Sequence, residues 1–128
     1  MDWKEQLGWK REEIEDLRAV AFVYVQQGLY GPALTMFDAL TVVAPNEAYD
    51  LQMLGAIHLQ MGSGLMALEA LDRALKLDPE NGLAKLNRAK ALFLLGYKRQ
   101  GLLQVLELEK SADPKVVEQA SALVLAYK

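Results

Sequence analysis

Three glycines set the terms on which this chain can fold. Gly28, Gly62 and Gly96 recur at a constant spacing of 34 residues (62 − 28 and 96 − 62). Each closes an apolar segment of helical period: "LRAVAFVYVQQG", "LQMLGAIHLQMG" and "KLNRAKALFLLG". Ala33 and Ala67 repeat at the same offset, as do Leu17 and Leu51, and Pro45 and Pro79, while Gly101 takes the alanine's place in the third copy. A glycine ending a helix adopts a left-handed backbone without a Cβ penalty, and a small residue soon after it lets the next helix pack closely. Proline lacks the amide a helix interior needs but fits a first turn, so "APNE" and "DPEN" end one helix pair and start the next. A single pair cannot bury its own apolar face, so the copies must bury one another.

Helix, glycine turn, helix and proline stop at this period resemble tetratricopeptide repeats, from about Glu13 to Pro114. The resemblance implies an all-α, right-handed solenoid of three helix-turn-helix repeats, 13–47, 48–81 and 82–113, within a single domain 1–128. A short N-terminal segment, 1–12, precedes the repeats and a capping helix, 114–128, closes them. The apolar periodicity predicts helices over Glu12–Gln27, Tyr30–Val43, Asn46–Met61, Gly64–Leu77, Glu80–Leu95, Tyr97–Ala112 and Pro114–Tyr127. In the last of these, Val116, Val117, Ala120, Leu123 and Val124 make one stripe, which covers the face an end repeat otherwise leaves in water. Ahead of the repeats, Trp3 and Leu7 form a small apolar patch that reads equally as an intramolecular cap or as a homodimer contact.

Composition removes whole classes of function. A chain of 128 residues, 52% hydrophobic, supports one core. With a net charge of −3 and its Lys and Arg scattered, it has no general attraction for nucleic acid. The absence of cysteine excludes disulfides, a thiolate nucleophile and Cys-ligated zinc, and points to an intracellular compartment. No apolar run approaches the roughly 20 residues that span a bilayer, so no membrane insertion is expected. The charged start "MDWKEQLGWKREEIEDL" lacks a signal-peptide pattern, so the expected location is the cytoplasm. The sole histidine, His58, stands where Tyr24 stands one repeat earlier, a position for an aromatic packed between helices. With no phosphate loop, nucleophile elbow or metal-ligand spacing either, neither catalysis nor a cofactor is expected.

Binding is the remaining reading, and the surface for it is the concave one. In the register of the resembled repeat, the residues turned there are Glu15, Arg18, Ala19, Phe22, Val25 and Gln26 in the first copy. Tyr49, Gln52, Met53, Ala56, Leu59 and Gln60 follow in the second, and Leu83, Leu86, Asn87, Lys90, Phe93 and Leu94 in the third. Arg18, Phe22, Val25, Tyr49, Gln52, Met53, Leu59, Leu83, Leu86, Lys90 and Phe93 are the candidate groove residues. Tetratricopeptide proteins that grip the acidic tails of heat-shock chaperones use a clamp of Lys, Asn and Arg, since a terminal carboxylate needs charge-assisted donors. The matching positions here are Arg18, Phe22, Met53, Leu83 and Asn87, of which only Arg18 brings a charged donor. An apolar trough with polar edges instead suits a segment anchored by hydrophobic side chains.

The phrase "GLYGPALTMFDALTVVAP", three repeats and one terminal helix are similar to the small bacterial type III secretion chaperones of the tetratricopeptide class. Two features depart from that pattern: the N-terminal segment is short, and Gly64 stands where a tyrosine is common. The resemblance implies a non-catalytic cytoplasmic chaperone that holds an apolar segment of a translocator or needle subunit until export. The alternative is a generic scaffold or adaptor with a folded partner on the convex face.

Overall fold

A computed structural model describes residues 10–128, and among these it holds seven α-helices. They are α1 (Arg11–Gln26), α2 (Tyr30–Val43), α3 (Ala48–Gln60), α4 (Gly64–Leu77), α5 (Gly82–Leu94), α6 (Lys98–Leu108) and α7 (Pro114–Tyr127). Trp3 and Leu7, with the proposed cap or dimer contact, lie outside the described residues.

The turn inside each pair is the same motif three times. Gly28, Gly62 and Gly96 have φ of 75°, 76° and 87°. The amide after each glycine donates back across the helix end, Leu29 to Tyr24 at 2.9 Å, Ser63 to His58 at 2.8 Å and Tyr97 to Leu92 at 2.8 Å. The glycine amides donate to Val25, Leu59 and Phe93. This is the double bond pattern of a left-handed helix cap, which satisfies carbonyls that would otherwise be orphaned.

The inter-repeat prolines act differently from the sequence expectation. Pro45 and Pro79 lie in the turns, and α3 and α5 begin only at Ala48 and Gly82. What starts α5 is Asn81, whose side chain accepts from the Ala84 amide at 3.0 Å. Pro114, by contrast, does open α7, behind an Asp113 carboxylate that accepts from the Lys115 amide at 3.0 Å. Helix α6 stops at Leu108 rather than Ala112, because Lys110 and Ser111 donate to Glu107 and Leu108 in a tightened last turn.

Burial follows the logic of repetition. One cluster joins Ile14 and Ala21 of α1, Phe37 and Leu40 of α2, Leu54 and Ile57 of α3 and Ala70 of α4. A second joins Leu86, Ala89 and Phe93 of α5, Val105 and Leu108 of α6, and Val116, Ala120 and Val124 of α7. Ala67, Leu71, Ala84 and Ala91 link α4 to α5 between them. Small residues mark the closest approaches. A Cβ on Gly101 would lie 2.6 Å from the Phe93 ring, and one on Gly55 would lie 2.5 Å from Leu71. Each helix packs on the next, and α3, α5 and α7 also stand side by side, forming the inner wall.

Candidate functional site: the concave groove

Among the described residues, two separate hollows open on the concave side. The first lies between α1 and α3, is about 300 Å³ in volume, and is lined by Glu15, Arg18, Ala19, Phe22 and Tyr49. Phe22 is 41% exposed, a large apolar area left in solvent. Tyr49 is half-buried and held by Phe37, whose ring centroid is 6.4 Å away at 60°. Burial, and after it the charge of Asp50, push the Tyr49 phenol above its ordinary value.

Arg18 in this hollow is not a free cation. Its Nε donates to Asp50 Oδ1 at 2.7 Å and its Nη2 to Oδ2 at 2.8 Å, a two-pronged pair between α1 and α3. Asp50 is fully buried. The hydrogen bonds to its carboxylate raise the guanidinium's pKa above the ordinary value. The sequence reading missed Asp50, although the signal was present. Asp50, Leu54 and Ile57 are spaced to share a helix face, and an acid on a core face needs a partner.

The second hollow, about 290 Å³, is lined by Ala56, Leu59, Gln60, Asn87, Lys90, Leu94 and Tyr127. It spans α3, α5 and the end of α7. Tyr127 continues the Val116, Ala120, Val124 stripe by one further helical step and closes this end of the groove.

The candidates therefore separate. Arg18, Phe22 and Tyr49 meet in one hollow, and Leu59 and Lys90 in the other. Val25 and Met53 are half-buried against the first core cluster. Gln52 accepts from the Asn81 side chain at 2.7 Å, tying α3 to the α5 cap. Leu83 lines a different cleft, beside Glu80, Glu107 and Val116. Leu86 and Phe93 are not groove anchors: at 1% and 8% exposure they belong to the core. The reason is α7, whose Val116, Ala120 and Val124 join them in one cluster. His58 is also buried, in the α3 face that meets the core.

Solved structures share this architecture. The Yersinia enterocolitica type III secretion chaperone SycD, in complex with a peptide of the translocator YopD, matches with a TM-score of 0.83 at 21% identity, over 92% of this chain and 94% of that one. PcrH, in complex with the chaperone binding region of PopD, matches with a TM-score of 0.82 at 22% identity, over 94% of each chain. The second TPR domain of human RPAP3, in complex with the HSP70 peptide SGPTIEEVD, matches with a TM-score of 0.73 at 15% identity, over 84% of this chain and 91% of that one. No protein-family model matches the sequence, and neither does any curated protein. At these identities the likeness speaks for the backbone, and the backbone is that of an all-α tetratricopeptide-repeat fold.

Proposed function

We propose that the chain is a non-catalytic chaperone that holds an apolar segment of a secretion substrate, a translocator or needle subunit, in its concave groove before export through a type III secretion system. The observation that carries this reading is the hollow between Phe22 and Tyr49, where an exposed aromatic surface surrounds an arginine already neutralised by Asp50. Chaperones of translocators stand among the proteins of similar fold, with translocator peptides in their complexes. Sequestering one aggregation-prone segment in the bacterial cytoplasm removes the nucleus for premature assembly, and binding energy alone suffices for that. Trp3 and Leu7 enter the same reading as either an intramolecular cap or a homodimer contact.

The test is to capture the partner from the source cells, cross-link it through lysine and map the linked residues. Links from the partner to Lys90, inside the groove, support the chaperone reading. Links confined to Lys76 and Lys98 would instead favour a scaffold whose partner sits on the outer helices. One observation speaks for that second reading: Leu65 of α4 and Leu103 of α6 are 70% and 61% exposed, well above what a core helix leaves in water.

A further inference from the structure

The acidic residue beside Arg18 decides what the first hollow accepts. An arginine in a groove ordinarily attracts carboxylates, through forked charge-assisted hydrogen bonds. Here one forked face of the guanidinium, Nε with Nη2, is occupied by Asp50, which also balances its charge. Asp50 is one of three acids, with Glu47 and Glu15, whose charges act on the guanidinium. Glu15 is itself paired with Arg11 at 3.1 Å, so two cations stand among three carboxylates and the local charge is still net negative. Of the guanidinium's five N–H donors Asp50 takes two, and Nη1 donates to no partner among the described residues, so donors remain that suit a neutral carbonyl once the charge is balanced.

We propose that Asp50 is a specificity-determining residue: by neutralising Arg18 it makes the hollow between α1 and α3 a seat for an uncharged apolar segment and a barrier to acidic ones. This rests on the groove reading above. Asp50 touches no ligand itself. It acts by setting the charge and the free donors of Arg18, and through them the selectivity of a pocket whose walls, Phe22 and Tyr49, are aromatic.

The experiment uses two nonapeptides differing only in charge: SGPTIEEVD, and the same peptide with its acids replaced by the corresponding amides and its C-terminus amidated. Both are titrated against the wild-type chain, Asp50→Asn, and the double variant Arg18→Gln with Asp50→Asn. Asp50→Asn should move the affinity ratio toward the acidic peptide by roughly tenfold or more, the discrimination of one hydrogen bond to a charged group, and salt should erode that gain. If the wild type binds neither peptide measurably, the acidic one must become measurable in Asp50→Asn. The double variant removes both charges of the pair at once and leaves the net charge of the hollow unchanged, so it should keep the wild-type ratio within about threefold. A native circular dichroism spectrum with an unchanged ratio in Asp50→Asn overturns the proposal, as does a wild type that already prefers the acidic peptide. Should Asp50→Asn fail to fold, a double variant whose ratio departs from the wild type's overturns it instead. A titration with the PopD chaperone binding region separates the two readings. Loss of that binding alone counts against the groove, while an unchanged charge ratio counts only against the role of Asp50.

Discussion

Phe93 and Tyr127 lie face to face, ring centroids 3.9 Å apart and planes 1° from parallel, so the last turn of α7 is fastened to α5 by an aromatic stack. The stack makes the terminal helix part of the fold. Tyr127→Ala should lower stability by about 1–2 kcal/mol, a stacked pair plus some lost apolar area, while Tyr127→Phe should be nearly neutral. Removing Lys115–Lys128 should cost far more, because Leu86, Phe93, Val105 and Leu108 lose their cover. Urea melts of the three variants decide this, and an unchanged melt for the truncation would refute the capping role.

The Arg18–Asp50 pair predicts an asymmetry. Arg18→Met strands a fully buried carboxylate and should cost about 3–5 kcal/mol. Asp50→Asn should cost less, since the amide oxygen still accepts one bond and the Arg18 side chain, 22% exposed, keeps access to water. Equal losses in chemical denaturation would show that burial of Asp50 does not govern the energetics.

Two glycines with opposite environments should respond with opposite sign. Gly101→Ala drives a Cβ into the Phe93 ring and should destabilise by about 1–3 kcal/mol. Gly31→Ala, in the first turn of α2, meets nothing within 4 Å and should stabilise by about 0.4–1 kcal/mol through the unfolded chain. Thermal melts of both, measured side by side, make the comparison.

Alkaline pH should weaken the fold through Tyr49. Burial raises its pKa in the folded chain above the ordinary 10.0. The folded chain thus keeps a proton that the unfolded chain gives up. The associated stability is fully present below the unfolded pKa and is lost as pH rises through the folded one. Tyr49→Phe should flatten the fall in urea midpoint between about pH 9 and pH 11, a window bracketing the unfolded tyrosine value. An equally steep fall in the variant would assign the alkaline loss to other groups.

Groove anchors and core residues should separate in a partner titration. Phe22→Ala and Tyr49→Ala should weaken binding by about 1–4 kcal/mol with circular dichroism unchanged. Leu86→Ala should instead cost about 2–5 kcal/mol of folding stability, as for a buried leucine. Arg73→Ala, on the outer helix α4, should change binding by less than about 1 kcal/mol. If Arg73→Ala loses the partner while Tyr49→Ala retains it, the partner sits on the outer surface.

The sequence by itself determined the repeat. Gly28, Gly62 and Gly96 are steric necessities of three left-handed turns, a requirement local to a few residues, so their spacing declared the helix pairs before any contact was known. The alternation of apolar residues placed α2, α4 and α7 to the residue for the same reason. Tertiary structure alone decided which inward residues remain open. Arg18 and Leu86 hold the same inward position two repeats apart (86 − 18 = 68), yet one lines an open hollow and the other is buried, because α7 covers the third copy. Equally, Arg18 and Asp50 are 32 residues apart and meet only when α3 docks against α1. Helical periodicity shows which face a side chain takes, but the neighbour that will cover it or neutralise it is set by the packing of distant segments.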